Sequence, residues 1–488
     1  MVIESLKYKI LQQFGFAPTQ EQGQALDTFV SFLTDRDPQA VMILRGSAGT
    51  GKTSLSGAIV RTLLQIRQKV MLLAPTGRAA KVFSLGSGAP AYTIHRRIYR
   101  EKAFAGVDGQ FGLNDNLYTD TLFMVDEASM IANMGLGGTT CGSGCLLDDL
   151  VKFVYQGHND RLLLIGDKAQ LPPVGEEESP ALSASVMEGY GLKVYECDLN
   201  EVLRQSQSSG ILYNATLIRQ MITHDAVTGL PLIRFKGFAD IVMMPGAELV
   251  ESLGDSYHHV GMDETMVITR SNKRANIYNN GIRNMVLDRE EELSSGDMLM
   301  IVKNNYFWTE KEKKESGEGS AGAVPAFLAN GDRAKVLRVS NYIELYGFRF
   351  ATLLLQLPDY DDYEMQVTGM LDTLQSEAPA LTHEQQEELF RQVEEDYQHF
   401  VPLKADRMKS IRQDAYFNAL QIKYAYAVTC HKAQGGQWAH VYVDQGYMTD
   451  DMLTPDYIHW LYTAFTRATD KLFLVNWPKE QTCEPTDL

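Results

Sequence analysis

Short apolar runs separated by helical stretches dominate the first two hundred residues of the chain. Runs of this kind, each followed by a stretch long enough for a helix, are typical of strands that are buried on both faces of a parallel sheet. The predicted strands are Val41–Leu44, Val70–Leu73, Leu122–Val125, Leu162–Ile165 and Val194–Cys197. The pattern therefore predicts a first α/β domain over residues 1–205.

A second series of apolar runs follows, and it is interrupted. Its predicted strands are Ile241–Met244, Met266–Thr269, Tyr424–Val428, Val441–Val443 and Leu472–Val475. We expect a second parallel-sheet α/β domain, formed by residues 206–295 and 421–488, with a cleft between the two domains.

Between residues 296 and 420 the pattern changes to alternation of apolar and polar positions. Alternating segments such as Phe348–Leu357, together with a turn signal at Asn330-Gly331-Asp332, predict a small antiparallel barrel inserted in the second domain. Thr382 and Gln385 are spaced as in a capping box, which predicts a charged helix from there to about Phe400. Glu310–Ser320 has almost no apolar residue and predicts a loop.

Composition narrows the class of protein. A net charge of -17 excludes a wholly basic protein that coats nucleic acid, but it allows a basic groove on an acidic body. The five cysteines, an odd number, make no disulfide framework and indicate a reducing cytosol. No apolar run approaches the roughly 18–20 residues that a membrane span needs, and the first residues lack a signal-peptide core. We therefore expect a cytoplasmic multidomain protein that does not enter a membrane.

A phosphate-binding loop follows the first predicted strand and precedes a helical run, Ser54–Ile66. The segment fits G-x-x-x-x-G-K-[ST], in which glycines let backbone N–H groups cradle phosphate oxygens. Lys52 would lie between the β- and γ-phosphates of ATP, and the Thr53 hydroxyl would bind Mg²⁺. The loop residues predicted to bind nucleotide are Gly46, Ser47, Ala48, Gly49, Thr50, Gly51, Lys52, Thr53 and Ser54.

Polar side chains follow two further buried strands. Asp126 and Glu127 come directly after Leu122–Val125, at the strand end where ligands collect in parallel sheets. Asp126 can hold Mg²⁺, and Glu127 can take a proton from an attacking water. Gln170 follows the strand at Arg161–Ile165, and its uncharged amide can contact both the γ-phosphate and the water.

Nine segments, taken in order, resemble the motifs of superfamily 1 helicases of the B branch, the RecD-like and Dda-like DNA helicases. The resemblance extends over almost the whole chain, and nine segments in the family's order are a specific signal. The segments are Thr19–Gln22, Gly46–Thr53, Ala74–Ala80, Thr93–His95, Asp126–Ser129, Gly166–Gln170, Leu199–Gln205, Tyr426–Gly435 and Tyr462–Ala468.

The resemblance implies two RecA-like domains, an SH3-like barrel inserted in the second, and a small hairpin insertion at about 97–121 in the first. It also implies that Gln22 reads the adenine edge and that Gln437 contacts the ribose. Arg204 and Arg467 would reach the γ-phosphate across the cleft, where an arginine from a separate domain stabilises transition-state charge. A surface salt bridge is the alternative for both arginines.

The implied activity is that of an ATP-dependent DNA helicase, which moves 5′→3′ on single-stranded DNA and unwinds tailed duplex DNA. Hydroxyl, imidazole and loop N–H groups can hold nucleic-acid phosphates without reading bases. The implied strand-binding residues are Pro75, Thr76, Thr93, His95, Thr429, His431 and Lys432. For Thr93 and His95 a helix cap with a packed histidine is the alternative.

Other functions stay open at this point. An RNA or nucleoprotein-remodelling motor would use the same motifs, because nothing in them reports contacts to 2′-hydroxyls. An ATP-dependent switch or loader is disfavoured, because such a protein need not keep every residue for ATP hydrolysis, and this chain has Glu127, Gln170, Arg204 and Arg467. A nuclease lacks a further carboxylate cluster. Cys141 and Cys145, within the glycine-rich Asn133–Cys145, could be half a zinc site, but a loop without metal is favoured.

Overall fold

The computed structural model describes residues 2–105, 108–134, 142–201, 208–223, 229–316, 325, 327–401 and 403–483. The chain divides into two compact units. The first unit contains Met1–Phe104, Asp108–Gly246 and Ala433–Leu488, and the second contains Ala105–Val107 and Ala247–Lys432.

The two helices that the sequence predicts with bounds, at Ser54–Ile66 and from Thr382 to about Phe400, are present as Lys52–Gln65 and His383–Gln398. Among the described residues the helices are α1 (Val2–Phe14), α2 (Gln20–Thr34), α3 (Lys52–Gln65), α4 (Gly77–Ser87), α5 (Ile94–Ile98), α6 (Leu146–Gln156), α7 (Ala184–Gly189), α8 (Gly210–Thr223), α9 (Leu249–His259), α10 (Asn272–Gly281), α11 (Phe307–Ser316), α12 (His383–Gln398), α13 (Lys404–Arg412), α14 (Cys430–Ala433) and α15 (Pro455–Phe465).

The strands alternate with these helices in the first two hundred residues and cluster between residues 298 and 424. In the described part of the chain they are β1 (Ala40–Gly46), β2 (Lys69–Ala74), β3 (Ala91–Thr93), β4 (Tyr99–Ala105), β5 (Asp108–Leu113), β6 (Thr121–Val125), β7 (Arg161–Gly166), β8 (Lys193–Leu199), β9 (Ile241–Met244), β10 (Thr265–Thr269), β11 (Met298–Ile301), β12 (Arg333–Leu345), β13 (Phe348–Leu357), β14 (Tyr363–Met370), β15 (Leu420–Tyr424), β16 (Ala427–Thr429), β17 (Trp438–Asp444) and β18 (Ala468–Val475).

The first unit contains a six-stranded parallel sheet in the order β3-β2-β6-β7-β1-β8. All five predicted strands of the first series are present in it. Every position of β1, β6 and β7 is buried, as their continuous apolar runs predict. The prediction that β8 is buried on both faces is wrong, because β8 is an edge strand and most of its residues are exposed or half-buried.

Successive residues of β1 point to opposite faces of this sheet, so the strand contributes to two cores. Met42 and Leu44 pack in the core that includes α1, α2 and α3. Val41 and Ile43 pack in the core that includes α5, α6 and α7. The helices therefore cover both faces of the sheet, and the carboxyl ends of its parallel strands all lie at one edge.

The second series of predicted strands is also parallel. In the first unit β18 pairs with β17 and with β9, and in the second unit β10 pairs with β16. The predicted strand Tyr424–Val428 is two strands, because the chain leaves the barrel at Tyr424 and enters the parallel pair at Ala427. The two-stranded sheet of β4 and β5 lies within the predicted hairpin insertion.

The inserted segment of the second unit forms a closed barrel of β11, β12, β13, β14 and β15. The fold class is therefore confirmed, with two parallel sheets and a barrel. One pairing differs from the predicted antiparallel barrel, because β14 and β15 run parallel where Gly369 and Met370 pair with Leu420 and Gln421. The helix α12 opens with the predicted capping box at Thr382.

The predicted loop at Glu310–Ser320 is wrong for its first half, which belongs to the helix α11. Trp308 anchors the start of this helix, because it is 4% exposed and its Nε1 donates to the Asn418 carbonyl at 2.9 Å. The polar residues that follow can then continue the helix, with Glu310 and Lys314 at the favourable i,i+4 spacing. Residues 317–320 lie outside the described residues.

Within the described residues, no helix has both the length and the apolar character that crossing a bilayer requires.

Candidate functional site

The phosphate-binding loop connects β1 to α3 at the edge of the six-stranded sheet where the carboxyl ends of the strands lie. Gly49 and Gly51 have φ angles of 77° and 81°, the left-handed region that glycine adopts without steric cost. A Cβ on Gly46 would lie 2.7 Å from Lys52 Cγ, so only glycine fits below this side chain. The glycines of the motif are therefore required by the conformation of the loop.

The Lys52 side chain folds over the loop. Its Nζ donates to the Gly46 carbonyl and, at 3.2 Å, to the Ser47 carbonyl. Thr53 and Ser54 are exposed in the first turn of α3. The N-terminus of that helix, the ammonium group and the loop N–H groups together form an electropositive cradle for phosphates.

Gln22 is fixed beside the loop by a capping box at the start of α2. Its Oε1 accepts from Thr19 N at 3.0 Å, and its Nε2 donates to the Thr50 carbonyl at 2.9 Å. The side chain is 1% exposed. These contacts show that Gln22 supports the phosphate loop. Its contact with the adenine edge stays a prediction.

Asp126 and Glu127 follow β6 at the same edge. The Asp126 N–H donates to the Leu73 carbonyl at 3.0 Å, and Asp126 Oδ1 accepts from the Glu127 N–H at 2.9 Å. Desolvation, with a further contribution from the Glu127 charge, raises the pKa of Asp126 to about 7, and Lys52 opposes this rise. Glu127 has a φ of 52°, a left-handed conformation that is strained for a residue with a side chain.

The Gln170 amide contacts two other predicted catalytic residues, Glu127 and Arg467. With the amide oriented so that each of its atoms meets a suitable partner, its nitrogen donates to Glu127 Oε2 at 3.3 Å and its oxygen accepts from Arg467 Nη2 at 3.2 Å. Three predicted catalytic residues that are far apart in the sequence therefore lie within one chain of hydrogen bonds.

Arg467 is buried, with 2% of its surface exposed. Its Nε donates to the Thr463 carbonyl at 3.0 Å, and its Nη1 donates to the Gly436 carbonyl at 3.1 Å. Within the described residues no carboxylate lies at ion-pair distance from it. The alternative for this arginine was a surface salt bridge. The described residues do not form one with Arg467.

Tyr462 is a site residue that the motif reasoning did not single out. Its hydroxyl donates to Asp167 Oδ2 at 2.6 Å and accepts from the Ala48 N–H at 2.9 Å. The residue is 1% exposed and lies on α15, five positions before Arg467. The sequence signal for Tyr462 was its place within the Tyr462–Ala468 motif. Its hydroxyl contacts could not be predicted, because the apolar face of a helix does not indicate them.

Further hydrogen bonds connect the loop that carries Gln170 to α15 and to Gln434. Leu171 N donates to Thr463 Oγ1 at 2.8 Å, and Gln434 Nε2 donates to the Leu171 carbonyl at 2.7 Å. Arg204 lies outside the described residues. Gln437 is exposed, and its carbonyl accepts from Arg78, so its ribose contact stays a prediction.

Helix caps hold two of the predicted strand-binding residues of the first unit, Thr76 and Thr93. Thr76 follows Pro75 and caps α4 by accepting from Ala79 N at 3.2 Å. Thr93 caps α5, and the His95 ring lies 5.6 Å from the Tyr99 ring. Burial lowers the pKa of His95 to about 4, so the imidazole is neutral at pH 7. The cap and packed histidine are thus present, and a nucleic-acid role for both residues stays a prediction.

The predicted strand-binding residues of the second unit lie on, or directly before, one short helix. Thr429 ends β16, and His431 and Lys432 lie on α14. Burial lowers the pKa of Lys432 to about 8, and the charge of Lys423 adds to this effect. Lys423 was not predicted as a site residue, because it stands in an alternating strand of the barrel.

Comparison with known families identifies two segments. The AAA domain family matches residues 17–229, and the UvrD-like helicase C-terminal domain family matches residues 424–475. The two matches lie in the order of the motifs and together cover more than half of the chain. The chain belongs to the superfamily 1 helicases.

Individual relatives of this helicase chain match in part. The ATP-dependent RecD2 DNA helicase of Deinococcus radiodurans is 30% identical over 32% of this chain and 18% of its own length. The ATP-dependent DNA helicase dda of Enterobacteria phage T4 is 26% identical over 53% of this chain and 55% of its own length. The chain therefore spans less than two thirds of either relative.

Among solved structures, the Pif1 helicase from Bacteroides in complex with ADP-AlF3 and ssDNA is similar over 96% of this chain and 95% of that chain. Its sequence identity is 13% and its TM-score is 0.46.

The residues of this helicase site fit a magnesium ion. Mg²⁺ prefers oxygen ligands, and proteins usually hold it through one or two of them while it keeps several waters. Asp126 Oδ2 and the Thr53 hydroxyl make no hydrogen bond within the described part of the chain, so both are available as ligands.

Proposed function

We propose that this chain is an ATP-dependent DNA helicase that moves 5′→3′ along single-stranded DNA and unwinds duplex DNA. The observation that carries the proposal is the amide of Gln170, which bridges Glu127 and Arg467. A motor needs its proton acceptor and its γ-phosphate sensor to be coupled, so that hydrolysis changes the contacts of both.

Each residue has a defined part in this reaction. Lys52 and the loop N–H groups bind the phosphates, and Thr53 and Asp126 would hold Mg²⁺, which would neutralise phosphate charge. Glu127 accepts the proton of the attacking water, and Gln170 orients that water. Arg467 stabilises the charge that develops on the γ-phosphoryl group. Because Arg467 is buried among carbonyl and hydroxyl partners, a phosphate would be its first anionic partner among the described groups.

The strand-binding segments are close to this chemistry in the first unit. Pro75 and Thr76 directly follow β2, whose Leu73 carbonyl accepts from the Asp126 N–H. A Cβ on Gly435 would lie 3.0 Å from Thr76 Oγ1, so the end of the Tyr426–Gly435 motif packs closely against the Thr76 cap. A DNA strand held at Thr76 would therefore bias the position of Asp126, and ATP would bias the grip on the strand.

ATP hydrolysis rates with single-stranded DNA, duplex DNA and single-stranded RNA, measured side by side, test this proposal. We expect strong stimulation by single-stranded DNA and little by duplex DNA without a tail. Stimulation by RNA alone would favour the RNA or nucleoprotein-remodelling motor instead. Binding of ATP without DNA-stimulated turnover would favour the switch or loader.

A further inference from the structure

The helix α8 brings a second arginine to the first half of the phosphate loop. Arg219 Nη1 donates to Ser47 Oγ at 2.5 Å. The guanidinium also makes two longer contacts of 3.4 Å to Asn200, one to its Oδ1 and one to its carbonyl. The side chain is half-buried, so these contacts hold the charge against the loop rather than in bulk water.

Arg219 has only neutral partners in the described part of the chain. No carboxylate lies within ion-pair distance of it there. Arg45, at the end of β1, provides a contrast, because Glu196 and Asp198 contact its guanidinium at 2.7 Å and 2.6 Å. Among the described residues, the fold thus supplies carboxylates to a structural arginine near this edge and supplies none to Arg219.

Two cationic groups converge on one residue of the loop. Lys52 Nζ donates to the Ser47 carbonyl, and Arg219 donates to the Ser47 hydroxyl. The lysine of this motif reaches the β- and γ-phosphates. Arg219 therefore contacts the same loop residue as the lysine that reaches the terminal phosphates of a nucleoside triphosphate.

We propose that Arg219 binds the terminal phosphate of the nucleoside triphosphate, in addition to Arg467. This inference rests on the ATPase function proposed above. On binding, Arg219 exchanges the neutral Ser47 hydroxyl for a phosphate oxygen, which is the stronger acceptor for a charged donor. The contacts with Asn200 keep the guanidinium in place during the exchange.

Equilibrium binding of a non-hydrolysable ATP analogue and of ADP tests the inference. We expect Arg219→Gln to weaken binding of the ATP analogue by about 10–100-fold, the usual effect of losing a hydrogen bond to a charged group, and binding of ADP by less than about threefold. Arg219→Lys should recover part of the loss, because it restores the charge but not the planar fork. Arg391→Gln, which changes an exposed arginine on α12, is the charge-matched control and should affect neither nucleotide.

The alternative outcomes are distinct. Equal losses for the ATP analogue and ADP would show that Arg219 only braces the loop, and no loss for either would also overturn the inference. If Arg219→Gln does not fold, Asn200→Ala keeps the test available, because it removes the Oδ1 contact of the guanidinium, although not the carbonyl contact, and should weaken only ATP-analogue binding. Failure of the unmodified protein to bind either nucleotide would instead overturn the proposed function itself.

Discussion

Glu127 combines a strained backbone with a carboxylate at the centre of the site. Its φ of 52° costs conformational energy, and such strain persists where the surrounding structure holds the residue in place. In this conformation Glu127 Oε2 accepts from the Gln170 amide nitrogen at 3.3 Å, with the amide oriented as described above. We interpret the strain as the cost of presenting a proton acceptor at this position.

Glu127→Gln tests this assignment, because the amide keeps the size of the side chain but cannot accept the proton. The variant should bind ATP as the unmodified protein does, while the maximal ATPase rate falls by about 10²–10⁴-fold. Steady-state hydrolysis and equilibrium nucleotide binding are the measurements. A rate near that of the unmodified protein would exclude Glu127 as the general base.

Tyr462→Phe removes the hydroxyl that joins Ala48 to Asp167. Asp167 is 4% exposed and would lose its shortest hydrogen bond, which should lower the free energy of unfolding by about 1–3 kcal/mol. The loop carrying Gln170 would also be held less firmly, so we expect the maximal ATPase rate to fall about tenfold, which corresponds to ~1.4 kcal/mol of lost positioning.

A control on the same helix separates stability from catalysis. Tyr457→Phe removes a buried hydroxyl that donates to Gln445 Oε1 at 2.5 Å, away from the phosphate loop. Chemical denaturation should show a comparable loss of stability in both variants. If Tyr457→Phe slows hydrolysis as much as Tyr462→Phe, the link between Ala48 and Asp167 has no specific role.

At the scale of elements, close packing connects the Thr76 cap of α4 to the turn after α14. Gly435 has a φ of 72° and would bring a Cβ to 3.0 Å from Thr76 Oγ1 and 3.1 Å from the Ala79 Cβ. An alanine there is strained by its backbone conformation and by both contacts.

Gly435→Ala should therefore reduce the stimulation of ATPase by single-stranded DNA more than the rate without DNA. We expect stimulation to fall by about tenfold, since ~1–2 kcal/mol of strain would separate the two elements. Gly229→Ala is the control, because a Cβ at Gly229 meets nothing within 4 Å. Equal reductions with and without DNA would indicate a general folding defect rather than lost coupling.

Sequence patterns predicted the strands well where both faces are buried, and they failed for an edge strand and for a polar helix. The apolar runs located β1, β6 and β7 because both faces of these strands are covered. The same reasoning failed for β8, since an apolar run does not reveal an edge position. It also failed for α11, because a single contact of Trp308 with a distant carbonyl is not visible in local sequence.

The residues of the candidate site also fall into those that sequence motifs predict and those whose contacts depend on packing. Motifs predicted Lys52, Glu127, Gln170 and Arg467 as site residues, because their chemistry requires particular residue types at particular spacings, and these roles stay predictions. They did not identify Tyr462 or Arg219, whose contacts depend on how α15 and α8 pack against the loop. Gln22 was predicted from its motif, but its bonds to Thr19 and Thr50 depend on a helix cap.

At the scale of the whole molecule, the proposed function requires a chain with a net charge of -17 to bind DNA, which is itself a polyanion. Binding therefore requires local positive charge that outweighs the overall repulsion. We expect Lys432, a predicted strand-binding residue of the second unit, to supply such charge, and its pKa is lowered to about 8 by burial and by the charge of Lys423. A phosphate close to this ammonium group would favour its charged form, so DNA binding and protonation should support each other.

Unwinding of two DNA substrates tests the central claim most directly. One duplex carries only a 5′ single-stranded tail and the other only a 3′ tail, and both are incubated with ATP and Mg²⁺, with Glu127→Gln as the inactive control. We predict strand separation of the 5′-tailed duplex alone, and none by the control variant. Unwinding only from the 3′ tail, or separation of neither substrate despite DNA-stimulated ATPase, would contradict the proposed 5′→3′ helicase.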